Sequence, residues 1–368
     1  MKFNRMFLFA LFILLTLALS ACGAPPATNW PGLSTDGNLI YLSANSHVYL
    51  VQAQNGTETT VNLSGKVTPL RFPLEFDGRM SFYAPVALAP QGVFIVGSAS
   101  STGHALYAAQ ASNASIVWAF EGTKPWLAGP LLLGETVFAP AGDGYLYAFD
   151  LNGGKRWEKK LSEHALWTSP VTDGEHLYLA TLDHMLYCLD PQSGDILWSK
   201  DLENGIIGAP ALSEGVLYLG TLSGNLYAIQ AADGNVKWVK TLEGSIWGTP
   251  GLRDETLYVG TVFGRSGKFY ALEAATGDVK WFRDEEGSIV AGPLVLDEQV
   301  IYVTEMGRVQ SLDLNGAPQW QDNFEKNKIY TPPLLVNDMI VVAPMGSQFL
   351  MVAYDRNGAK KWTFTPAQ

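Results

Sequence analysis

The sequence is poor in cysteine and in basic residues. Its 368 residues include two cysteines, Cys22 and Cys188, which excludes a disulfide-rich scaffold, a cysteine-based structural zinc site and a haem attachment motif. Lysine and arginine number 24 against 35 aspartates and glutamates, for a formal net charge of −11, so a nucleic-acid-binding groove is not expected. Because 47% of the residues are hydrophobic, the chain is predicted to fold around a large core.

Motifs that carry chemistry are also missing from the sequence. It contains no Gly-x-Ser-x-Gly element, no Walker motif and no zinc-protease helix. The five histidines form no His-x-His or His-x-x-x-His pair, and His184 replaces the glycine of a turn, which favours solvent exposure over metal binding. Cys188 is expected to be a small buried residue. We therefore predict no catalytic, cofactor-binding or metal-binding residue, and no cofactor.

The N-terminus has the features of a bacterial lipoprotein signal. An apolar run over residues 6–19 follows Lys2 and Arg5, and it is shorter than the roughly 20 residues of a membrane-spanning helix. The run ends in Leu19-Ser20-Ala21-Cys22, which resembles a lipobox, the site where a cysteine becomes the lipidated N-terminus. We predict a signal peptide over residues 1–21, a lipidated Cys22 that anchors the chain to a membrane, and a flexible tether over residues 22–29.

The rest of the chain repeats a unit of about forty residues. Seven tryptophans are separated by 39, 41, 40, 43, 39 and 42 residues: Trp118, Trp157, Trp198, Trp238, Trp281, Trp320 and Trp362. In the segments that end at Trp198, Trp238 and Trp281, the tryptophan lies four residues after a glycine. A second landmark, a proline, recurs eight times as Pro31, Pro85, Pro130, Pro170, Pro210, Pro250, Pro293 and Pro332. Between proline and tryptophan, alternating apolar segments separated by glycine turns predict four short strands.

These units predict an all-β, eight-bladed propeller over residues 30–368. A four-stranded sheet of this length cannot bury both faces alone, so neighbouring units must pack face to face in a ring. The first unit is irregular because Thr60 stands where the tryptophan is expected. If this unit is degenerate, the propeller would have seven blades instead of eight. An additional segment that includes Lys66, Arg71 and Asp77 is predicted between the first and second blades.

The segment Ala271-Leu-Glu-Ala-Ala-Thr-Gly-Asp-Val-Lys-Trp281 resembles the tryptophan-docking motif of quinoprotein-type propellers, the PQQ-like repeat family. The resemblance covers residues 30 to 368. It implies that the seven tryptophans hold adjacent blades together, each bonded through its indole to a backbone carbonyl of a neighbour. Together with the lipobox, the architecture is similar to that of lipoprotein scaffolds for outer-membrane protein assembly, in which an N-terminal strand completes the last blade. Here the first unit begins at its own first strand, so ring closure is expected to differ.

The sequence favours a non-catalytic scaffold outside the cytoplasm. The chain is expected to be a monomer within a larger complex, bound to the membrane through Cys22 and to envelope proteins through its loops, at the periplasmic face of the outer membrane if the cell has one. One alternative is a quinone-dependent dehydrogenase, although the sequence has neither a vicinal cysteine pair nor additional chain for a cofactor pocket. Another is an envelope protein that binds a ligand in the central funnel.

Overall fold

The computed structural model describes residues 30–74, 80–100, 103–325, 327–346 and 348–367. Within these ranges the chain forms eight antiparallel sheets arranged as a propeller, and its one helical element is a single 3-10 turn at Pro90–Gly92. The predicted eight-bladed, all-β propeller is therefore confirmed, and the seven-bladed alternative is wrong. No helix in the described part of the chain is long and apolar enough to cross a membrane. The predicted signal peptide, Cys22 and the tether lie outside the described residues.

Each blade follows the chain from the inside of the ring to the outside. The first strands of neighbouring blades contact one another around the axis, and the fourth strands form the outer rim. Blades 1 and 2 have the strands Gly32–Thr35, Leu39–Ala44, His47–Gln52 and Arg71–Phe72, then Ala87–Ala89, Val93–Ser100, His104–Gln110 and Ile116–Gly122. Blades 3 and 4 have Leu131–Leu133, Thr136–Pro140, Tyr145–Asp150 and Lys155–Lys160, then Val171–Thr172, Leu177–Ala180, Met185–Leu189 and Ile196–Asp201.

The second half of the ring repeats the same order. Blades 5 and 6 have the strands Ala211–Ser213, Val216–Gly220, Asn225–Gln230 and Val236–Thr241, then Gly251–Arg253, Thr256–Gly260, Gly267–Glu273 and Val279–Glu285. Blades 7 and 8 have Leu294–Val295, Gln299–Val303, Arg308–Asp313 and Pro318–Asn323, then Leu334–Val336, Met339–Val342, Met351–Tyr354 and Lys360–Phe364. The second strands are largely buried and the fourth strands alternate between exposed and half-buried residues, as expected for the interior and the rim of stacked sheets.

The strand register shows that the repeated proline of blade 8 was assigned to the wrong residue in the sequence. Leu334 pairs with Val341 as Leu294 pairs with Ile301. The residue before each of these first strands is the repeated proline, so the equivalent of Pro293 in blade 8 is Pro333 and not Pro332. The two adjacent prolines could not be told apart by spacing alone.

The turns between the third and fourth strands are capped by their own side chains. In blade 3, Asp150 Oδ1 accepts hydrogen bonds from the backbone amides of Asn152 and Gly154, both at 2.8 Å. Asp190, Asp313 and Asp355 bond the amides of their turns in the same way. This repeated aspartate column is therefore a set of turn caps.

Blade 1 departs from the repeat inside its fourth strand. Glu58 forms an isolated bridge with Val51, and the chain then leaves the sheet as a hairpin of Thr60–Leu63 and Lys66–Pro69 before Arg71–Phe72 rejoins it. The sequence had suggested that the additional segment follows blade 1. In the structure it begins within blade 1. Beyond it, Met80–Phe82 pairs with the end of the second strand of blade 2.

The ring closes by contact between complete blades. All four strands of blade 1 and all four of blade 8 come from continuous stretches of chain. Thr331 Oγ1 donates to the Pro31 carbonyl at 2.5 Å, and Asn337 Nδ2 donates to the Gly37 carbonyl at 2.7 Å. The Glu58–Arg71 ion pair (2.9 Å) also holds the C-terminal segment, because Arg71 donates to the Ala367 carbonyl at 3.1 Å. Within residues 30–367, as far as the structure describes them, no strand is exchanged between the first and last blades.

The closure region contains a histidine with a shifted pKa. Burial, and after it the positive charge of Arg71, lower the pKa of His47 from an ordinary value near 6.5 to about 4. At pH 5 the folded protein therefore keeps His47 neutral, whereas the unfolded chain protonates it. Stability is then lost as the pH falls from about 6.5 towards 4.

We expect His47→Gln to remove this part of the acid destabilisation. Between pH 7 and pH 5 the wild-type protein should lose about 1 to 2 kcal/mol more of its free energy of unfolding than the variant loses. Urea denaturation at the two pH values measures the difference. An equal loss in both proteins would contradict the assignment.

Candidate functional site: blade junctions and upper face

Seven of the eight blade junctions are built around an indole. Each repeated tryptophan donates its Nε1–H to a main-chain carbonyl of the following blade, at 2.8–3.2 Å. The pairs are Trp118 with Leu151, Trp157 with Pro191, Trp198 with Ala231, Trp238 with Ala274, Trp281 with Leu314, Trp320 with Arg356, and Trp362 with Ala53. The last pair joins blade 8 to blade 1 and so closes the ring.

The turn that supplies each carbonyl also supplies a glycine that lies against the indole. These glycines all have a positive φ, and a Cβ built on them would lie 2.5–3.0 Å from an indole carbon. They are Gly153, Gly194, Gly234, Gly277, Gly316, Gly358 and Gly56. Only glycine satisfies both the left-handed backbone and the close approach of the ring. The glycine that lies four residues before the tryptophan of one blade therefore packs against the tryptophan of the preceding blade.

Among the described residues, the junction between blades 1 and 2 contains no tryptophan and no such glycine. Its space is filled by Leu70 and Phe72, which return to the sheet after the hairpin and are 4% and 1% exposed. The Phe72 ring lies 5.3 Å from Tyr107 and 5.8 Å from Phe94 between centroids. At the position equivalent to Gly234, blade 2 carries Ala114 with a φ of 55°. A side chain is tolerated there because no indole packs against it.

A pair of glycine variants separates indole contact from backbone strain. Gly37→Ala should cost about 1 kcal/mol, because Gly37 has a φ of 92° but open space around it. Gly234→Ala should cost about 1 to 3 kcal/mol more, because its Cβ would lie 2.8 Å from the Trp198 ring. The measurement is the free energy of unfolding in urea. Equal losses would show that the indole contact adds nothing.

One face of the ring, which we call the upper face, carries two kinds of loop. They are the loops between the second and third strands of each blade and the connectors that lead from one blade to the next. They are hydrogen-bonded together: the amides of Leu166, Ile206, Ile246 and Ile289 donate to carbonyls of Ala141, Thr181, Thr221 and Thr261 at 3.0–3.2 Å. The connectors are thereby held at fixed positions around the channel.

Apolar side chains surround the mouth of the central channel on this face. The third residue before the repeated proline is apolar in six connectors: Leu127, Trp167, Ile207, Trp247, Val290 and Tyr330. Trp30, at the start of blade 1, stacks on Tyr330 with centroids 5.4 Å apart and reaches Trp247, on the connector into blade 6, at 6.4 Å. Because blades 7 and 8 separate blades 6 and 1, the Trp30–Trp247 contact crosses the channel mouth. We call these seven residues the apolar ring.

Carboxylates outnumber basic groups in the loops around the apolar ring. The described loops of the upper face carry the acidic residues Asp143, Glu163, Asp183, Glu203, Glu243, Glu286, Glu305 and Glu325, and the basic residues Lys124, Arg265 and Lys328. The side chains of Glu163 and Glu286 are 81% and 92% exposed, and each pairs with a basic side chain at a strand end, Lys160 at 2.7 Å and Arg308 at 3.8 Å. The upper face therefore combines a negative surface with an apolar centre.

The titratable groups are held in structural pairs. His164 bonds Asp183, His184 bonds Asp201 at 2.7 Å and His176 bonds Asp173 at 3.0 Å. His184 has a φ of 62°, as expected for a residue that replaces a turn glycine. The described residues contain no group of three or more His, Cys, Asp or Glu side chains that could hold a metal ion.

Two buried side chains of types that often act in catalysis, a cysteine and a glutamate, have structural roles here. Cys188 is 2% exposed, as expected for a small core residue, and burial raises the pKa of its thiol to about 11, so it is not a nucleophile at neutral pH. Glu285 is buried, accepts a hydrogen bond from the Tyr302 hydroxyl at 2.5 Å and pairs with Arg308 at 3.1 Å. Both carboxylate oxygens are thus occupied.

A cleft between blades 1 and 8 is small. It has a volume of about 60 Å³ and is lined by residues that include Pro31, Asn45, Met345 and Leu350. Pockets that enclose a drug-sized ligand measure roughly 300–1,000 Å³. This cleft cannot enclose such a ligand.

Comparison with known proteins agrees with the repeat and the ring. A family model described as "Outer membrane protein assembly factor BamB" matches residues 44–166, 142–245 and 240–367. The chain belongs to this family. The resemblance to PQQ-like propellers that the sequence suggested is therefore confirmed.

Solved structures show the same fold at low identity. BamB from Moraxella catarrhalis superposes with a TM-score of 0.67 and 18% identity, covering 87% of this chain and 92% of that one. The computationally designed Ika8 protein also gives a TM-score of 0.67, with 13% identity over 91% of this chain and 96% of its own. No curated protein sequence matches the chain.

Proposed function

We propose that this BamB-family protein is a lipid-anchored, non-catalytic scaffold outside the cytoplasm that binds protein partners in outer-membrane protein assembly. The observation that carries the proposal is the family match over residues 44–367, in a chain whose N-terminal region contains Leu19-Ser20-Ala21-Cys22. The family description supports the assembly role, and the lipobox supports the anchor. The partners would be other proteins of the same envelope complex.

The side chains that a catalyst would use support a structural role. The Cys188 thiol is buried with a raised pKa, the Glu285 carboxylate is bonded to Tyr302 and Arg308, and His164 and His184 are each bonded to a carboxylate. Catalysis requires such groups to converge on a reacting atom. The upper face instead offers a broad surface with an apolar centre, which suits protein binding.

The anchor would hold the upper face near the bilayer. Cys22 precedes Trp30 by eight residues, and a fully extended chain spans at most about 3.5 Å per residue, or about 28 Å. Trp30 is part of the apolar ring, so the channel mouth would stay within about that distance of the lipidated cysteine. Partners are then expected among proteins whose segments lie close to the same membrane.

The proposal is tested by cross-linking the full chain in its native cells and identifying the attached proteins. We expect components of the outer-membrane protein assembly machinery to be recovered repeatedly with the wild-type chain. Their consistent absence would contradict the assembly role and would favour a protein that binds a small ligand.

Two cysteine variants test the anchor in the same cells. The Cys22→Ser protein should no longer be found in the membrane fraction, because the thiol that carries the lipid is missing. It should also lose most of the cross-linked partners. Cys188→Ser is the matched control, since it removes the other cysteine of the chain, and it should fractionate like the wild-type protein. A Cys22→Ser protein that stays fully membrane-bound would show that the anchor lies elsewhere.

A further inference from the structure

Three of the eleven tryptophans remain without a role in the core or in the blade junctions. Seven dock adjacent blades, and Trp126 is 1% exposed within the core between blades 2 and 3. The other three, Trp30, Trp167 and Trp247, all belong to the apolar ring. Eight tryptophans thus serve the blade junctions and the core, and the remaining three lie on connectors of the upper face.

The four aromatic members of the apolar ring keep exposed surface, whereas Val290 is only 8% exposed. Trp167 is 45% exposed and Trp30 is 37% exposed, and Trp247 and Tyr330 are partly exposed. The equivalent residues in other connectors are the aliphatic Leu127, Ile207 and Val290, so the repeat itself does not need an indole at this position. Contiguous exposed apolar surface with a polar rim is typical of binding sites, and tryptophan is enriched where binding energy concentrates.

We propose that the apolar ring is a docking site for a segment of a partner protein in which apolar side chains are flanked by lysine or arginine. The apolar side chains would pack against Trp167 and Trp247 at the channel mouth. The flanking basic groups would lie among the surrounding carboxylates, which include the exposed Glu203 and Glu325. This inference rests on the proposed scaffold function and specifies its surface and its ligand.

The charge around the ring selects this occupant over two others. A second copy of the chain would bring the same excess of carboxylates to the interface, and like charges brought together cost several kcal/mol. A membrane surface that contains anionic lipids would be repelled for the same reason. A segment with basic residues is attracted by the same carboxylates, and its apolar residues cover the ring.

The test uses the full chain and two fluorescently labelled synthetic peptides. Both have a Leu-Phe-Leu core, one flanked on each side by lysines and the other by glutamates. Fluorescence anisotropy should show that the lysine peptide binds about tenfold more tightly or better, and that its advantage shrinks as salt is raised from about 50 mM to about 500 mM. Equal affinities, or no binding of either peptide, would overturn the proposal.

Trp167→Ala and a matched control variant test whether the lysine peptide binds at the apolar ring. Trp167→Ala should weaken the lysine peptide about tenfold or more, as for a central aromatic contact. Leu197→Ala removes an apolar side chain that is 51% exposed on the outer strand of the same blade, and it should leave the affinity within about twofold. Both variants should unfold in urea at the wild-type midpoint, since each alters an exposed side chain. A loss of binding in both variants, or in neither, would place the site elsewhere.

Further measurements distinguish the other occupants and the proposed function. Cosedimentation with phosphatidylethanolamine and phosphatidylglycerol vesicles that is lost in Trp167→Ala would indicate a lipid occupant, and a dimer lost in that variant would indicate a second copy; either would overturn the inference. Trp167→Ala should also lose the partners cross-linked in cells. If the wild-type chain and Trp167→Ala capture the same partners equally, this inference is wrong while the scaffold function stands. If the wild-type chain captures none, the function itself fails.

Discussion

The structure depends on the indoles that join neighbouring blades at seven of the eight junctions. The Nε1–H of each indole reaches a carbonyl of the following blade and its ring lies on a glycine of the same turn, as Trp198 does with Ala231 and Gly234. A blade of four short strands cannot bury both faces alone, so stability comes from these junctions. At Trp362 the same arrangement joins blade 8 to Ala53 of blade 1, and this contact closes the ring.

The sequence predicted the regular part of the fold because the junction is local in the repeat. Glycine and tryptophan recur at fixed spacing, and each is needed by the same contact. Blade 1 was less predictable, because Thr60 leads into a hairpin and the residues that fill the junction, Leu70 and Phe72, appear ten or more positions later. Ala114 was a signal of this change, since it replaces the glycine only where no indole has to be accommodated.

The channel mouth could not be predicted in the same way. Trp167 and Trp247 occupy a repeat position that holds aliphatic residues in other connectors, so nothing in the spacing distinguishes them. The contact between Trp30 and Trp247 joins residues that are 217 positions apart in the sequence, and only ring closure brings them together. A rigid ring of blades thus turns scattered loop residues into one surface, which links the fold to partner binding.

The central claim is that the seven repeated indoles are locked between blades. The most direct measurement is hydrogen exchange of the tryptophan Nε1–H groups by NMR on protein labelled with 15N-tryptophan, assigned by single Trp→Phe variants. The indole N–H groups of the seven docked tryptophans should exchange slowly and with similar protection, whereas those of the exposed Trp30 and Trp167 should exchange rapidly. Docked indoles that exchange as fast as Trp167 would contradict the account.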